Sequence, residues 1–289
     1  MTPANFQFVC GYLKRHAGLV LTPDKAYLVE SRLSPVARRL GHTSLDALAE
    51  SLRAGRSPTL DVAVVEAMVT NETLFFRDKL SFERLQNVVL PKLIEARAAV
   101  KRLNIWCAAA STGQEPYSVA MILKDIEAQL HGWRIDILGT DISPAVLEKA
   151  RSGVYSQFEV QRGLPIQHLV RHFTQEGEVW RISADLRGMV RYRELNLLDE
   201  FGGLGHFDLV ICRNVLIYFD RDTKSDILER MTKTLTPDGF VMLGASETVI
   251  GVTDCLSGAP EERGFYHLEM SPPAAARKAA AANKRPAAH

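Results

Sequence analysis

Three polar segments of the chain follow apolar runs and carry residue types that can bind a nucleotide-like ligand. They are AAASTGQEPYS at 108–118, Asp141 at the end of RIDILGTD, and the pair Arg213 and Asn214 at the end of FDLVICRN. In the first segment, small residues and Gly113 allow a ligand to approach the backbone closely, and Pro116 suits a first helical turn. Because ligands of open parallel sheets bind outside the carboxyl ends of the strands, we expect these segments to meet at one site.

Asp141 lies 28 positions after Gly113, at the end of what reads as the second strand. A carboxylate at that place can accept hydrogen bonds from both ribose hydroxyls of an adenosine. The alternative role is a helix N-cap before PAVLEKA, which Ser143 could equally supply. At Arg213 and Asn214, polar groups that end a buried strand are costly unless they meet a partner or solvent, which favours a functional role.

The glycine pattern narrows the class of cofactor. No GxGxxG motif surrounds Gly113, and a single glycine gives little support for a pyrophosphate cradle. An adenosine site without that cradle favours S-adenosylmethionine over NAD. The segment LTPDGFVMLGASE at 235–247 agrees, because class I methyltransferases often have a Pro-Gly turn there. A nicotinamide-dependent dehydrogenase is therefore a distant alternative, less favoured than the two rival functions given at the end of this subsection.

The framework for these segments begins at Arg102, where the chain alternates between strand-like and helical patterns. The strand-like runs are LNIWCAAA, RIDILGTD, FDLVICRNV and FVMLGAS, and the helical ones include SVAMILKDIEAQL, PAVLEKARSG and KSDILERMTKTL. This alternation predicts an α/β fold with a mostly parallel sheet covered on both faces. Between 157 and 195 the alternation breaks. There VWRIS and MVRYREL, separated by ADLRG, predict an inserted antiparallel hairpin.

Before this domain, the sequence reads as all-helical. Apolar residues follow helical spacing through 24–40, where Pro35 marks either a kink or the start of a new helix. The last segment contains nine alanines, three prolines and four basic residues without an acid, so we expect it to be disordered. The expected division is a helical domain at 1–70, a linker at 71–95, a sheet domain at 96–270 with its insert at 157–195, and the disordered tail at 271–289.

Composition and length exclude several classes of protein. The 289 residues include 35 basic and 34 acidic side chains, and this near-zero net charge argues against a general polyanion binder. No apolar run reaches the roughly 18 residues of a membrane span, and the first residues lack the features of a signal peptide, so we expect a cytoplasmic protein. The four cysteines are far apart and form no CxxC pair, which predicts neither a disulfide framework nor a metal site.

At the level of whole motifs, the chain resembles the CheR family of chemotaxis receptor methyltransferases. The matching segments are VTNETLFFRD (69–78), WCAAASTGQEPYS (106–118), GTDIS (139–143), ELNLLD (194–199), CRNVLIYFD (212–220), LTPDGFVMLGASE (235–247) and GFYHLE (264–269). NETLFFRD and STGQEPYS are highly specific. The resemblance implies a class I methyltransferase-type doubly wound sheet with an inserted small antiparallel β-subdomain, preceded by an all-α N-terminal domain.

The resemblance also implies an activity. It implies a methyltransferase that uses S-adenosylmethionine to form methyl esters on glutamates of the cytoplasmic helices of chemoreceptors. The residues implied to contact the cofactor are Asn71, Thr73, Arg77, Glu115, Asp141, Asn196, Leu197, Arg213 and Asn214, and those implied to lie near the transferred methyl are Arg77 and Tyr218. On the residues alone, Arg77 could instead form a surface ion pair with Asp78, and Tyr218 could be an ordinary strand aromatic.

Charge indicates how the receptor could be recognised. Residues 1–60 carry eight basic and four acidic side chains, and Arg32, Arg38 and Arg39 cluster around Pro35. We expect these three arginines to dock the acidic receptor helices, as this region does in family members, although a solvated helix face is the alternative. Some relatives also grip a receptor tether peptide through a longer glycine-containing loop of the β-subdomain.

In this chain, the segment that corresponds to the tether-binding loop is TQEGE at 174–178. It is short and has only Gly177, which predicts an enzyme independent of the tether.

Two rival functions stay open on the sequence. One is a methyltransferase of nucleic acid or small molecules, which the absence of a proline in CRNVLIYF and of a basic body weakens. The other is a non-catalytic S-adenosylmethionine-binding signalling module. We expect a monomer, because nothing in the sequence demands an oligomer. Nothing in it indicates a nucleic-acid partner or membrane insertion either.

Overall fold

The computed structural model of the protein describes residues 1–55, 57–258 and 260–269, so the expected tail at 271–289 lies outside the described residues. The helices are α1 (Pro3–Ala17), α2 (Ala26–Arg39), α3 (Leu45–Arg53), α4 (Pro58–Met68), α5 (Lys79–Arg84), α6 (Leu90–Ala96), α7 (Gln114–Asp125), α8 (Pro144–Ser152), α9 (Gln157–Gln161), α10 (Ile166–His172), α11 (Ala184–Met189) and α12 (Arg221–Thr232). The strands are β1 (Arg102–Ala108), β2 (Arg134–Asp141), β3 (Val154–Ser156), β4 (Phe173–Glu176), β5 (Val179–Ile182), β6 (Val190–Glu194), β7 (Phe207–Cys212), β8 (Leu235–Leu243), β9 (Leu256–Ser257) and β10 (Phe265–Leu268).

Helices α1–α4 form the N-terminal domain that the sequence predicts. Hydroxyl side chains cap three of them, because Thr2, Ser44 and Ser57 each accept a hydrogen bond from a backbone N–H of the first turn. Apolar faces of the four helices pack into one core, which includes Val9, Leu13, Leu33, Leu48 and Val64. The helix α2 runs without a break through Pro35, so this proline does not start a new helix.

The larger sheet of the described residues has the strand order β6-β2-β1-β7-β8-β10-β9. The first five of these strands are parallel, and β10 runs antiparallel to β8. Buried apolar clusters cover both faces, since alternate residues of β1 point to opposite sides: Ile105 and Cys107 into one cluster, Trp106 and Ala108 into the other. The expected doubly wound sheet of class I methyltransferase type is confirmed.

The strand order reverses at β1, which has β2 on one side and β7 on the other. In an open sheet, this reversal leaves a crevice outside the carboxyl ends of the flanking strands. The segments that begin at Ala109, Ile142 and Arg213 follow these strand ends. The topology therefore brings the three polar segments of the sequence to one edge.

The small antiparallel subdomain exists, but the hairpin predicted for it is wrong. Its sheet has the order β3-β5-β4, with β4 and β5 joined by a two-residue turn at Gly177 and Glu178. The segment ADLRG lies in α11, which Ser183 caps, and MVRYREL supplies β6, which pairs in parallel with β2 in the larger sheet. The insert therefore begins at β3, before the predicted boundary of 157, and ends before β6.

The segment expected as a linker at 71–95 is more than a connection. After a stretch of irregular backbone and turns at 71–78, α5, a π-helical turn (Leu85–Val89) and α6 follow one another directly. Phe82, Leu85, Val89 and Leu93 recur at helical spacing and are buried in one cluster of the sheet domain. This segment therefore belongs to the core of the sheet domain and fixes the position of the motif just before it.

Candidate functional site

A single cleft at the carboxyl edge of the larger sheet gathers the predicted cofactor and catalytic residues. The residues of this set that line it are Asn71, Thr73, Arg77, Glu115, Asp141, Asn196, Leu197, Arg213, Asn214 and Tyr218. Ala17, Leu19 and Val69 of the helical domain line the same cleft. The sequence did not predict these apolar residues, because nothing in their local pattern separates them from core positions. The cleft is therefore a joint product of the two domains.

Unusual backbone conformations concentrate around the cleft. Ala109, Ser111 and Asn214 have positive φ angles of 56°, 50° and 58°, which non-glycine residues rarely adopt. All three line the cleft. Strained φ/ψ values of this kind persist where the surrounding structure enforces them, and they cluster at ligand sites. The strand ends are thus held in fixed turns that expose backbone groups to a ligand.

Asp141 is buried, and both of its carboxylate oxygens accept backbone hydrogen bonds. Oδ2 accepts from the N–H of Ser111 at 2.8 Å, and Oδ1 accepts from the N–H of Ser143 at 3.0 Å. Burial raises the pKa of Asp141, and these hydrogen bonds oppose that shift. Ser143, not Asp141, is the N-cap of α8, because its Oγ accepts from the N–H of Val146. The N-cap alternative for Asp141 is thereby excluded.

Arg213 has a fully buried side chain and connects three parts of the site. Its Nη1 donates to Oε2 of Glu115 at 2.9 Å, and its Nη2 donates to Oδ2 of Asp78 at 2.7 Å and to the carbonyl oxygen of Arg77 at 2.8 Å. Burial raises the pKa of Glu115, and the charge of Arg213 opposes that shift. Arg213 thus positions an acid of the cleft and the backbone of the NETLFFRD segment.

Arg77 does not form the ion pair with Asp78 that the sequence left open. Asp78 pairs with Arg213, and Nη1 of Arg77 donates to the carbonyl oxygen of Glu72 at 3.0 Å. The half-buried side chain of Arg77 lies on the wall of the cleft. A cation held by its own segment on the wall of a cleft is suited to dock an anionic group of a substrate.

Tyr218 is not the ordinary strand aromatic that the sequence left open as its alternative role. It lies in a short 3₁₀ turn (Leu216–Tyr218) after β7 and not in a strand, and its half-buried ring lines the cleft. The N–H of Val20 donates to the carbonyl oxygen of Tyr218 at 3.1 Å. Two residues on, Asp220 forms an ion pair with Lys14 at 2.6 Å. The helical domain thus fixes the turn that carries Tyr218.

Asn196 lies at the boundary between the two domains. Its Nδ2 donates to the carbonyl oxygen of His16 at 2.7 Å, and its Oδ1 accepts from the N–H of Leu198 at 3.0 Å. Both polar atoms of this side chain therefore have partners within the protein. Leu197 is buried, and its carbonyl oxygen accepts a hydrogen bond from Arg230 at 2.9 Å. These residues shape the wall of the cleft and hold α1 against it.

Glu247 is a supporting residue that the sequence reasoning missed. Its Oε2 accepts from the N–H groups of Gly244 and Asn214, both at 2.8 Å, and its Oε1 accepts from those of Val215 at 3.0 Å and Leu216 at 2.8 Å. One buried carboxylate thus satisfies three backbone donors of the loop that carries Asn214 and a fourth donor, Gly244, just after β8. The acid is visible in the segment GASE, but its three partners in the loop of Asn214 lie about thirty residues earlier in the chain.

The three arginines predicted to dock the receptor differ in their surroundings. The guanidinium of Arg32 donates to the carbonyl oxygens of Met68 at 2.8 Å and Val69 at 3.3 Å, and so caps the end of α4. Arg38 and Arg39 are exposed at the end of α2, and among the described residues neither forms a salt bridge. Of these three arginines, Arg32 bonds within the protein, whereas Arg38 and Arg39 present their charges at the surface, and receptor docking by the set stays a prediction.

Two family models cover most of the chain. The model described as "CheR methyltransferase, all-alpha domain" matches residues 4–69, and the one described as "CheR methyltransferase, SAM binding domain" matches residues 71–265. The boundary between the two matches lies where the helical domain meets the NETLFFRD segment. S-adenosylmethionine is therefore the cofactor of the sheet domain. Across the described residues, we find no helix with the length and apolar character that a membrane crossing requires.

Curated relatives align with this chain over more than four fifths of its length. Chemotaxis protein methyltransferase 1 of Pseudomonas aeruginosa is 42% identical over 255 residues, which cover 87% of this chain and 92% of that protein. Chemotaxis protein methyltransferase 1 of Vibrio cholerae is 41% identical, over 85% of this chain and 89% of its own. The chemotaxis protein methyltransferase of Salmonella typhimurium is 37% identical, over 86% and 84%. The chain is a methyltransferase of bacterial chemotaxis and belongs to the CheR methyltransferase family.

Proposed function

We propose that the protein is a protein-glutamate O-methyltransferase that forms methyl esters on the cytoplasmic helices of chemoreceptors. The observation that carries this proposal is the composition of the cleft. Arg77 and Tyr218 line the same cleft as the acids Glu115 and Asp141, so a cationic dock for a carboxylate lies beside groups suited to a cationic cofactor. The names of the relatives, all chemotaxis protein methyltransferases, agree with this substrate class.

The charges of the cleft fit S-adenosylmethionine, which has a sulfonium, an ammonium and a carboxylate and so a net charge of one positive unit. Among the residues that line the cleft, the acids Glu72, Glu115 and Asp141 outnumber the bases Arg77 and Arg213. We assign Asp141 to the ribose hydroxyls, because each of its oxygens retains a second acceptor position after its backbone hydrogen bond. We assign Glu115 to the ammonium group.

The remaining cofactor contacts come from the rim and walls of the cleft. We assign them to Asn71, Thr73, Asn196, Leu197 and Asn214, which line it, and regard Arg213 mainly as the group that positions Glu115. Hydrogen bonds to the backbone of His16 and Leu198 hold the side chain of Asn196 in place, and each of its polar atoms retains one further hydrogen-bonding position.

The chemistry needs little from the protein beyond position and charge. When bound, S-adenosylmethionine supplies an activated methyl group on its sulfonium sulfur. A substrate glutamate has an unperturbed pKa of about 4.3, so near pH 7 it is already an anionic nucleophile and needs no general base. Arg77 docks this carboxylate with up to two hydrogen bonds. Tyr218 donates one further hydrogen bond or limits the approach of the side chain, and the two domains together exclude water.

The receptor helices are acidic, and we propose that Arg38 and Arg39 guide them to the enzyme. Both arginines are exposed on α2, which belongs to the same domain as the cleft residues Ala17 and Leu19. Complementary charge mainly accelerates encounter, so this contact is expected to weaken with salt. Because the substrate helices are cytoplasmic, we place the enzyme in the cytoplasm.

We further propose that docking does not use a tether peptide. The link between β4 and β5 is a two-residue turn at Gly177 and Glu178, because residues 174–176 of the segment TQEGE are already part of β4. Such a tight turn offers no loop beside the strands to clamp an added peptide. The small subdomain then serves the enzyme through its packing on the NETLFFRD segment, where Arg162 pairs with Glu72 at 3.0 Å.

Peptide mapping tests the substrate class. Purified protein is incubated with S-adenosylmethionine and a receptor cytoplasmic fragment, and tandem mass spectrometry locates the added methyl groups. The proposal expects them on glutamate side chains, with loss of the modification after mild base. Methyl groups confined to lysine, arginine or another residue type contradict the glutamate assignment and leave the methyltransferase fold intact.

A further inference from the structure

A second cluster of potential ligand groups lies outside the cleft, between α7 and α10. It consists of Asp125 at the end of α7 and of His168 and His172, which are four residues apart on α10 and therefore share one face of that helix. One ligand atom of each residue lies within 4.8 Å of those of the other two, and Nε2 of His168 is 3.6 Å from Oδ2 of Asp125. We propose that this cluster binds a divalent transition cation of the zinc class.

An orphaned ring nitrogen supports this assignment independently of the spacing. His172 is only 7% exposed, and within the described part of the chain its Nε2 is buried without a hydrogen-bond partner. Buried polar atoms in folded proteins are nearly always paired, so such a nitrogen requires an explanation. An unpaired imidazole nitrogen beside a second imidazole and a carboxylate is explained by a ligand that accepts their lone pairs, which is what a metal ion does.

The surrounding contacts hold the ligands in place. The ring of His168 stacks on Phe76 with centroids 5.0 Å apart and on His172 with centroids 5.8 Å apart. Nη1 of Arg171 donates to Oδ1 of Asp125 at 3.0 Å, which leaves Oδ2 directed toward His168. Partners of this kind orient metal ligands and raise the affinity of a site. The cluster is therefore largely prearranged.

The chemistry of the donor set selects the class of cation. Two imidazoles and one carboxylate suit zinc and related transition ions, whereas calcium and magnesium prefer oxygen ligands alone. A tetrahedral zinc site places its ligand atoms roughly 3.4 Å apart, so the side chains must close slightly around the ion. Arg171 and Lys124 place positive charge nearby, which sets the expected affinity at a micromolar dissociation constant instead of a nanomolar one.

Such a site would link the small subdomain to the sheet domain. Helix α10 leads directly into β4, and α7 begins at the cleft with Glu115. None of the three proposed ligands lines the cleft itself. The cation is therefore structural in this proposal and takes no part in methyl transfer. The sequence predicted no metal site, because only the His168 and His172 pair is visible in it and Asp125 joins through tertiary structure.

Metal titration of the full-length protein without an affinity tag tests the proposal. Cobalt(II) is added while the visible absorption is recorded, and zinc is then titrated by calorimetry. The variants are His168→Phe, which keeps an aromatic ring against Phe76, and Asp125→Asn. The control is His206→Gln, an exposed histidine on another part of the sheet domain. Each variant is first compared with the wild type by circular dichroism in the presence of a chelator.

The proposal expects one zinc per chain in the wild type and in the control, with a dissociation constant in the micromolar range. It expects at least a tenfold weaker affinity in both site variants, and an unfolding temperature that zinc raises only in the wild type and the control. Absence of binding to the wild type overturns the proposal. Binding that His168→Phe and Asp125→Asn leave unchanged overturns it as well, because the metal then lies elsewhere.

Discussion

Nη2 of Arg213 donates to Oδ2 of Asp78 at 2.7 Å and joins the end of β7 to a segment 135 residues earlier in the chain. The same guanidinium pairs with Glu115, and its side chain is fully buried. One cation thus stabilises two acids and the backbone at Arg77. The buried guanidinium therefore holds the NETLFFRD segment and Glu115 in fixed positions relative to the end of β7.

Replacement of Arg213 by an uncharged residue should therefore destabilise the protein. In Arg213→Met, the charges of Asp78 and Glu115 lose their buried partner, and we expect the free energy of unfolding to fall by about 3–5 kcal/mol. Urea denaturation at pH 7 measures the change. The control is Arg134→Met, which removes an exposed arginine from its ion pair with Asp136 and should change the stability by less than about 1 kcal/mol, because Asp136 keeps Arg102 as a partner. Equal effects of the two substitutions contradict the assigned role of Arg213.

The ion pair between Lys14 and Asp220 predicts a pH-dependent contribution to stability. The hydrogen bond from the ammonium group of Lys14 holds the pKa of Asp220 well below its usual value. A carboxylate with a lowered folded-state pKa adds stability above its unfolded pKa of about 3.9, and this is lost as the pH falls through the folded value. Both side chains are partly exposed, so the contribution is about 1 kcal/mol or less.

The substitution Asp220→Asn removes only the charge of this side chain. Asparagine can still act as the N-cap of α12 and accept the hydrogen bond from the backbone N–H of Thr223, as Asp220 does. Urea denaturation of both proteins from pH 7 to the lowest pH at which the wild type stays folded measures the effect. We expect the variant to be less stable at pH 7 and the difference to shrink once the pH falls below about 3.9. A difference that stays constant over this range indicates that the charge of Asp220 does not contribute.

Charge reversal on α2 tests the proposed receptor contact. The double variant Arg38→Glu with Arg39→Glu should lower kcat/KM for a receptor fragment at least tenfold at low salt, and the deficit should shrink as salt rises. Affinity for S-adenosylhomocysteine should stay unchanged, because neither residue lines the cleft. The control is the double variant Arg134→Glu with Lys233→Glu, which reverses the charges of two exposed residues on the sheet domain. Unchanged methylation by the α2 variant across the salt series refutes this docking surface.

The tight turn of the small subdomain predicts no specific affinity for a tether peptide. Calorimetric titration with a peptide from the end of a tether-bearing receptor should give no measurable heat of binding at micromolar concentrations. The enzyme should also methylate a receptor fragment with and without that peptide at equal rates. Micromolar binding would show that the edge strand β4 or β3 can accept a peptide without a longer loop.

Much of the cleft could be predicted from the sequence because its residues follow strands. Asp141 and Arg213 end apolar runs, and strand ends of a parallel sheet meet at one edge. The supporting contacts could not be predicted in this way. Glu247 accepts hydrogen bonds from a loop about thirty residues earlier, and Arg32 turns inward to cap α4. Both depend on which way a loop or helix face turns, and a single sequence carries no periodic signal for that.

The fold shows the same division between local and non-local information. The spacing of Phe82, Leu85 and Val89 is helical, so the sequence contained the evidence that the presumed linker is part of the core. The strand β6 is different. Its residues alternate as any half-buried strand does, and pairing with β2 in place of the small sheet is decided by the short helix α11, which carries the chain back to the larger sheet.

The most direct test of the account is the release of labelled methanol. Wild type and Arg77→Lys are incubated with S-adenosylmethionine labelled in its methyl group and with a receptor cytoplasmic fragment, and the fragment is then treated with base. We expect the wild type to give base-labile label that is released as methanol. We expect Arg77→Lys to transfer about a hundredfold more slowly, because lysine lacks the paired donors. Label that resists base, or no transfer by a protein that binds S-adenosylhomocysteine, contradicts glutamate esterification in this cleft.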